Sequence, residues 1–272
     1  MSTARGSDGR ESSAGAASRG TWCGVDLAAD PRRTGLAVLA EDPSRSRVRV
    51  ESVTVGADDE EIIAAVLDAD RTGVDVPFGW PQPFVELIEA HARGGEWSAR
   101  LTGEGWRRRV AMRTTDVVVH ERTGLVPLSV SADRIAHPAF RWAAIAARLR
   151  QSGADTARDG TGAACEVYPA AALKLWGLPH RGYKRTDGGE RRRDLVQRLA
   201  AMLPWLDWRG AEESCAASDD ALDAVVSALV AREIDRGRCV RPGPDQVGTA
   251  RVEGWICLPA GAPAPPPHFA SA

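Results

Sequence analysis

Two short apolar segments of this 272-residue chain each contain one aspartate, and this pattern constrains the fold more than any other feature. Asp26 lies between Val25 and Leu27, and Asp75 lies within the segment 73–77. A buried carboxylate is costly unless it is paired or binds a metal. If the two segments are neighbouring strands, their aspartates repel each other, and a divalent cation would relieve that repulsion. Each aspartate alone is equally well explained as a strand-end residue that accepts hydrogen bonds from nearby backbone N–H groups.

The order of apolar and turn-forming segments predicts an α/β fold. Residues 22–28, 35–40 and 48–55 are short apolar or β-branched runs separated by turn-rich segments, which indicates three antiparallel strands. Residues 58–70 begin with acids and continue with helical spacing, which predicts a helix. The short run 73–77 then predicts a parallel strand that is reached by a crossover.

The second half of the chain predicts mainly helices. Residues 77–162 are interpreted as a helical insertion after the fourth strand, with helical spacing at 83–92 and 135–150. A fifth strand is expected at 165–169, and the apolar run 254–259 suggests a last one. Three further helices are predicted at 170–176, 190–202 and 218–235. Together these elements predict a mixed five-strand sheet with helices on both faces.

Composition sets the limits of the folded domain. Residues 1–20 and 260–272 contain too few apolar side chains to offset the entropy of ordering, so both are predicted to be disordered tails. A single domain is expected over residues 21–259. The 35 basic and 37 acidic side chains give a net charge of -2, which excludes a strongly cationic nucleic-acid coat protein.

The sequence favours a cytoplasmic protein without a membrane segment. It has no stretch of roughly 18 apolar residues, and its first twenty residues lack the apolar region of a signal peptide. The five cysteines are scattered without a paired motif, which predicts free, buried thiols and no zinc ribbon or disulfide framework. The oligomeric state is left open.

The helix predicted at 218–235 contributes further carboxylates. Asp219 and Asp220 fall in its first turn, where the helix dipole favours acids, so a structural role explains both. Asp223 lies at the edge of the apolar stripe with Asp219 one turn before it, so this pair is expected to face the sheet. The predicted cluster is Asp26, Asp75 and Asp223 with Asp219 or Asp220. Such a cluster suits two Mg²⁺ or Mn²⁺ ions about 3.5 to 4 Å apart, which promote phosphodiester hydrolysis.

Other charged residues have two interpretations each. Glu166 lies in a predicted buried strand and either binds a metal or pairs with an arginine such as Arg113. Arg113 either pairs with Asp116 or contacts a substrate phosphate, and Lys184 likewise is either a solvated charge or a phosphate contact.

Two arginine-rich segments, 93–113 and 181–198, are candidate contacts for a phosphate backbone. Trp97 and Trp106 interleave with the first segment, as base-stacking residues do. Arginine-rich helix faces are more often simply solvated.

The combination of these motifs resembles the family called domain of unknown function 429, over about residues 22–259. The motifs are GVDLAADPRRTGLAV, VGVDVPFGWP, RTTD, CEVYPAA, GYK and SDDALDA. The resemblance implies a ribonuclease H-like fold and a predicted nuclease. It implies that Asp26, Asp75, Asp220 and Asp223 are the catalytic acids. The catalytic glutamate that ribonuclease H carries on its first helix has no clear match in Glu60 or Glu61.

The sequence is compatible with three functions. A metal-dependent nuclease acting on DNA or RNA is the leading hypothesis. A nucleic-acid or protein binding module with a vestigial carboxylate site is the second. A nucleotide-dependent phosphotransferase is the third, although the segment after the first strand, DLAADPRRTG, is not the Gly-rich phosphate loop that such enzymes need.

Overall fold

A computed structural model describes residues 20–95, 103–267 and 269 of the chain. The predicted N-terminal tail, apart from Gly20, therefore lies outside the described residues. Trp97, one of the candidate stacking residues, lies outside them as well.

The described residues form one mixed sheet with the order β5-β4-β1-β2-β3-β6. The strands are β1 (Thr21–Asp26), β2 (Gly35–Asp42), β3 (Arg47–Val55), β4 (Arg71–Asp75), β5 (Ala164–Glu166) and β6 (Leu206–Asp207). The first three strands are antiparallel neighbours, whereas β4 is parallel to β1, β5 to β4 and β6 to β3. The predicted α/β class with a mixed sheet is confirmed.

The number of strands differs from the prediction, because the sheet has six strands and not five. The additional strand, β6, is only two residues long and pairs with β3 at Val48 and Arg49. So short a strand leaves no periodic signal in the sequence. The run at 254–259 forms no regular strand, only single bridges from Ile256 to Glu166 and from Pro259 to Cys239.

Helices cover both faces of the sheet. They are α1 (Asp59–Asp68), α2 (Gln82–Ala92), α3 (Trp106–Ala111), α4 (Thr114–Thr123), α5 (Ala136–Gln151), α6 (Pro169–Leu175), α7 (Gly189–Met202), α8 (Ala211–Ala217), α9 (Asp219–Asp235) and α10 (Val247–Glu253). The segment predicted as a helical insertion contains α2 to α5. None of the described helices is long and apolar enough to cross a membrane.

The central strands send alternate side chains to two different cores. Cys23 and Val25 of β1 pack in a cluster with α1 and α5, whereas Trp22 packs in a second cluster with α9. Because strand side chains alternate with period two, Gly24 and Asp26 lie on the same face as Trp22. The face that carries Asp26 is therefore the face that α9 covers.

Three glycines bring the backbone of α9 into direct contact with the sheet. A Cβ atom on Gly24 would lie 2.0 Å from the carbonyl oxygen of Ala224, and one on Gly73 would lie 2.4 Å from that of Ser227. A Cβ atom on Gly35 would lie 2.1 Å from the carbonyl oxygen of Asp220. No side chain fits in these gaps, so only glycine permits this packing.

Helix α9 is buried on every side between Asp220 and Ile234. The sequence predicted a helix here with one apolar stripe, but the sheet, α6 and α8 enclose it together. The small residues Ala224, Ser227 and Ala228 permit the close approach to the sheet, as expected from the sequence.

The start of the C-terminal segment, which the sequence predicts to be disordered, accepts hydrogen bonds from one arginine in α9 and one just after it. Arg232 donates a hydrogen bond to the carbonyl of Ala264 (2.7 Å), and Arg238 donates one to the carbonyl of Ala262 (3.3 Å). These bonds from arginine side chains 32 and 24 positions earlier favour order in this segment, and its Ala/Pro composition gives no sign of them.

The contact between α9 and the sheet predicts the effect of adding one methyl group. Gly24→Ala should lower the free energy of unfolding by about 3 kcal/mol or more, because the new Cβ collides with backbone atoms that cannot rotate away. The matched control is Gly248→Ala in α10, whose Cβ meets nothing within 4 Å. That variant should be neutral or more stable by up to about 1 kcal/mol. Urea unfolding measures both, and equal stability of the two variants would contradict the packing described.

Candidate metal centre

The register between β1 and β4 places two aspartates next to each other. The strands are parallel, and Asp26 is the direct partner of Asp75. Both residues end their strands and lie on the face that α9 covers. The adjacency expected from the two apolar segments is therefore present, at the carboxyl edge of the sheet.

Helix α9 adds a third carboxylate at the same place. Ser227 of α9 stands over Gly73 of β4, and Asp223 lies one helical turn before it. One helical turn spans about the same distance as two strand residues. Asp223 therefore lies level with Asp75, two residues after Gly73, and with Asp26, the strand partner of Asp75. Oxygen atoms of the three carboxylates all lie within 4.8 Å of one another. We call Asp26, Asp75 and Asp223 the carboxylate cluster.

Asp223 is fully buried and has two partners. The hydroxyl of Tyr183 donates a hydrogen bond to its Oδ1 (2.9 Å), and the ammonium of Lys184 is in contact with its Oδ2. The same ammonium lies 3.9 Å from Oδ2 of Asp75. Within the described part of the chain, Asp26 has neither a hydrogen bond nor an ion pair through its carboxylate. The single positive charge of Lys184 is therefore the compensation available to all three carboxylates.

Burial, and to a lesser degree the neighbouring acids, raises the pKa values of all three carboxyl groups. Loss of solvent raises the pKa of Asp26 well above its ordinary value; Lys184 opposes this shift, and Asp223 and Asp75 add to it. Burial likewise raises the pKa of Asp75 to about 7 against the effect of Lys184. The pKa of Asp223 is also raised by burial, although Lys184 and Tyr183 counteract part of that shift. Burial disfavours the charged ammonium of Lys184, but Asp223 and the other acids raise the pKa of Lys184 well above its ordinary range.

Lys184 is held by a short loop that a neighbouring helix fixes in place. Gly182 has a φ of +81°, which only glycine adopts without strain. Arg192 of α7 donates hydrogen bonds to the carbonyls of Tyr183 (2.8 Å) and Ala216 (3.1 Å). Arg192 thus ties the lysine loop to the segment that leads into α9, so this member of the arginine-rich segment 181–198 has a structural role.

The other two acids of α9 do not join the carboxylate cluster. Asp220 receives two hydrogen bonds from the guanidinium of Arg33, at 3.0 and 3.1 Å. Asp219 is partly exposed at the first turn of α9. The helical-wheel argument favoured Asp219 and the family resemblance favoured Asp220, but neither lies in the group of three.

Glu166 lies apart from the carboxylate cluster in a second buried charge network. The guanidinium of Arg113 donates to both oxygens of Glu166 (2.7 and 2.9 Å) and to both oxygens of Asp116 (2.9 and 3.2 Å). Glu166 also accepts a hydrogen bond from the backbone N–H of Phe78 (3.0 Å). Of the two interpretations of Glu166, the structure shows the arginine pair and not a place among the clustered acids.

Arg113 has no donor left for a substrate. Its fifth N–H group donates to the carbonyl of Glu253 (3.2 Å), and its side chain is 2% exposed. The substrate contact that we predicted for Arg113 is therefore replaced by a structural role: it joins α4, β5 and α10. Lys184, the other predicted substrate contact, lies at the carboxylate cluster and is 46% exposed.

Sequence analysis missed Tyr183 and Arg33. Tyr183 is a buried aromatic residue in an otherwise polar loop, which is a detectable signal for a buried hydroxyl with a partner. Arg33 reaches an acid 187 positions away, and nothing in its local sequence indicates that partner.

Removal of Arg113 should be strongly destabilising. Arg113→Leu leaves Asp116 and Glu166 buried without a counter-charge, and we expect the free energy of unfolding to fall by about 3–5 kcal/mol. The control is Arg148→Leu, which removes the solvent-exposed pair with Glu60 and should cost at most about 1 kcal/mol. Chemical denaturation tests both variants, and a small cost for Arg113→Leu would show that the network is not closed.

The raised pKa of Asp75 predicts how the metal-free protein responds to pH. Between the ordinary aspartate value of 3.8 and about 7, the folded state binds more protons at Asp75 than the unfolded state does, so stability falls as the pH rises. Asp75→Asn should make this decline shallower, whereas the exposed control Asp68→Asn should leave it unchanged. Urea unfolding across this pH range with a chelator present measures the slopes. Identical slopes in all three proteins would contradict the predicted crowding.

Comparison with known proteins identifies a family. The family model described as "Protein of unknown function (DUF429)" matches residues 24–247. No curated protein and no solved structure matches the chain. The matched region covers most of the chain and includes every member of the carboxylate cluster. The chain therefore belongs to the DUF429 family.

Proposed function

We propose that this protein is a metal-dependent nuclease that hydrolyses phosphodiester bonds of nucleic acid. The observation that carries the proposal is the carboxylate cluster, three acids with oxygen atoms within 4.8 Å at the carboxyl edge of the central strands. The strand order is compatible with a ribonuclease H-like fold: β3, β2, β1, β4 and β5 are successive neighbours, and only β2 is antiparallel to β1 and β3.

The carboxylate cluster fits a divalent cation of the Mg²⁺ or Mn²⁺ type. All its donor atoms are carboxylate oxygens, which are the ligands that hard cations prefer. Asp26 lacks a counter-charge of its own among the described residues, and Lys184 supplies one positive charge to three acids. When bound, such ions lower the pKa of a water molecule and stabilise the charge that develops on a phosphoryl group. Asp26, Asp75 and Asp223 are the residues that would hold them.

The surrounding residues have distinct roles in this proposal. Tyr183 orients the Asp223 carboxylate through its hydrogen bond. Lys184, which is partly exposed, would contact a phosphate oxygen of the substrate. Arg33, with a 63% exposed side chain, lies beside α9 and would add a second phosphate contact while it keeps Asp220 in place. The proposal places the reaction in the cytoplasm, where the five buried thiols stay reduced.

One observation favours a second candidate. The ammonium of Lys184 already contacts Asp223 and partly neutralises the carboxylate cluster, as it would in a binding module whose acids no longer hold a metal. A response to metal distinguishes the two functions, because only the nuclease requires that the acids bind a cation.

Cleavage assays test the nuclease directly. Labelled single-stranded and duplex DNA and RNA are incubated with Mg²⁺, with Mn²⁺ or with a chelator, and cleavage is expected only with metal. Changes to residues that merely orient metal ligands cost about 10–100-fold, so Asp26→Asn and Asp223→Asn should each cost more than that. The control is Asp68→Asn, which changes an exposed aspartate outside the carboxylate cluster and should leave cleavage unchanged. Cleavage that persists unchanged in Asp26→Asn would contradict the proposal.

Thermal stability tests metal binding without knowledge of the substrate. Mn²⁺ should raise the Tm of the wild type, since a ligand at 100 times its Kd stabilises the folded state by about 2.7 kcal/mol. Asp26→Asn should respond weakly or not at all. Without metal it should be more stable than the wild type, because one of the repelling charges is gone. If no protein responds to metal and Asp26→Asn is destabilised, the binding module becomes the better account.

A further inference from the structure

A pocket of about 390 Å³ opens directly beside the carboxylate cluster. Asp75, a member of the cluster, and Lys184, whose ammonium contacts Asp223, both line the pocket, so a group bound there is adjacent to the cluster. The walls come from the segment before α5, from the start of α6 and from the loop that carries Lys184. The volume of the pocket falls within the range of about 300–1,000 Å³ that is typical of small-ligand sites.

One part of the pocket is apolar and aromatic. Pro127, Leu128 and Ile135 line it together with Tyr168. Leu128 is 47% exposed, so its side chain is accessible to a group bound in the pocket. A flat aromatic group such as a nucleobase is the natural complement of such a wall.

The other part of the pocket is basic. Arg134 and Arg181 both line it and are exposed, and among the described residues neither is paired with a carboxylate. Arg113 also lines the pocket, but its charge is already matched by Asp116 and Glu166. The free guanidinium groups therefore give this side a surplus of positive charge, and a guanidinium matches the geometry of a phosphate group.

We propose that this pocket binds a single unpaired nucleotide, with its base against Leu128, Ile135 and Tyr168 and its phosphate towards Arg181 and Lys184. The inference deepens the proposed function and rests on it for the choice of a phosphodiester substrate. A base that is paired in a duplex cannot enter a pocket of this size unless it leaves the stack. The substrate class is therefore a nucleotide with a free base, either alone or at an unpaired position of a strand.

Adenosine 5′-monophosphate is the probe for the pocket. Isothermal titration is carried out with the full chain, once with a chelator and once with Mg²⁺. Leu128→Asp should weaken binding about tenfold or more, because it replaces apolar surface under the base with a carboxylate that loses solvent when the base binds. Val126→Asp is the matched control: Val126 lies in the same segment, is 67% exposed and does not line the pocket. Arg181→Ala should also weaken binding, whereas Arg193→Ala, exposed on α7, should not.

Competition experiments separate the two sources of the nucleotide. A fluorescent single-stranded oligonucleotide should be displaced by unlabelled single strand and by adenosine 5′-monophosphate, but poorly by the corresponding blunt duplex. Binding of adenosine 5′-monophosphate in the titration, with no binding of the fluorescent single strand, would support the free nucleotide as the ligand. Equal displacement by the duplex would overturn the inference.

The result with metal distinguishes this inference from the proposed function. If Mn²⁺ raises the Tm but adenosine 5′-monophosphate binds in neither buffer, the pocket inference fails and the nuclease proposal stands. If the monophosphate binds and Leu128→Asp weakens it while Mn²⁺ has no effect, the pocket inference is supported and the nuclease proposal fails. Equal binding by Leu128→Asp and Val126→Asp would overturn the inference.

Discussion

The direct contact between α9 and three glycines of the sheet is the constraint on which the rest of the structure depends. Backbone atoms of the helix occupy the space that a Cβ on Gly24, Gly35 or Gly73 would need. This contact fixes how far α9 lies from the sheet and how it is positioned along the strands. Helices α6 and α8 pack on α9 together with the sheet, and the helix is buried on every side between Asp220 and Ile234. The position of Asp223 follows from this placement of α9 on the sheet.

The sheet carries two acidic systems on adjacent strands, and their charges are compensated differently. On β5, Glu166 shares with Asp116 an arginine whose five N–H groups all have acceptors, so this network is closed. On β4 and β1, Asp75 and Asp26 share with Asp223 one partly exposed lysine. Charges that lose solvent without sufficient compensation are destabilising, and titratable groups perturbed in this way cluster at functional sites. The first system has a structural role, and the second is the candidate site.

Sequence alone predicts much of this arrangement, because local patterns specify it. The first four strands, the helix at 218–235 and the placement of Asp26 and Asp75 follow from short-range apolar periodicity. The two-residue strand β6 and the partner of Arg33 do not, since both depend on contacts between distant parts of the chain. The helical wheel also misjudged Asp219, because it assumes one buried face and α9 has no exposed face over most of its length.

Two glycines in the sequence indicate the helix contact, although apolar periodicity does not reveal it. Gly24 and Gly73 each lie two residues before the aspartate of their strand, on the same face. A glycine within an apolar strand marks a close approach of another backbone. The spacing Gly-Val-Asp in both strands therefore encodes the helix contact and the carboxylate next to it together.

The central claim is that the carboxylate cluster binds a divalent metal ion. The most direct test is a crystal of the wild-type protein grown with Mn²⁺ and measured near the manganese absorption edge. The account predicts an anomalous difference peak among the carboxylates of Asp26, Asp75 and Asp223, and it predicts that this peak is absent in crystals of Asp26→Asn. A map without a peak at this position, with the ammonium of Lys184 still in contact with Asp223, would contradict it.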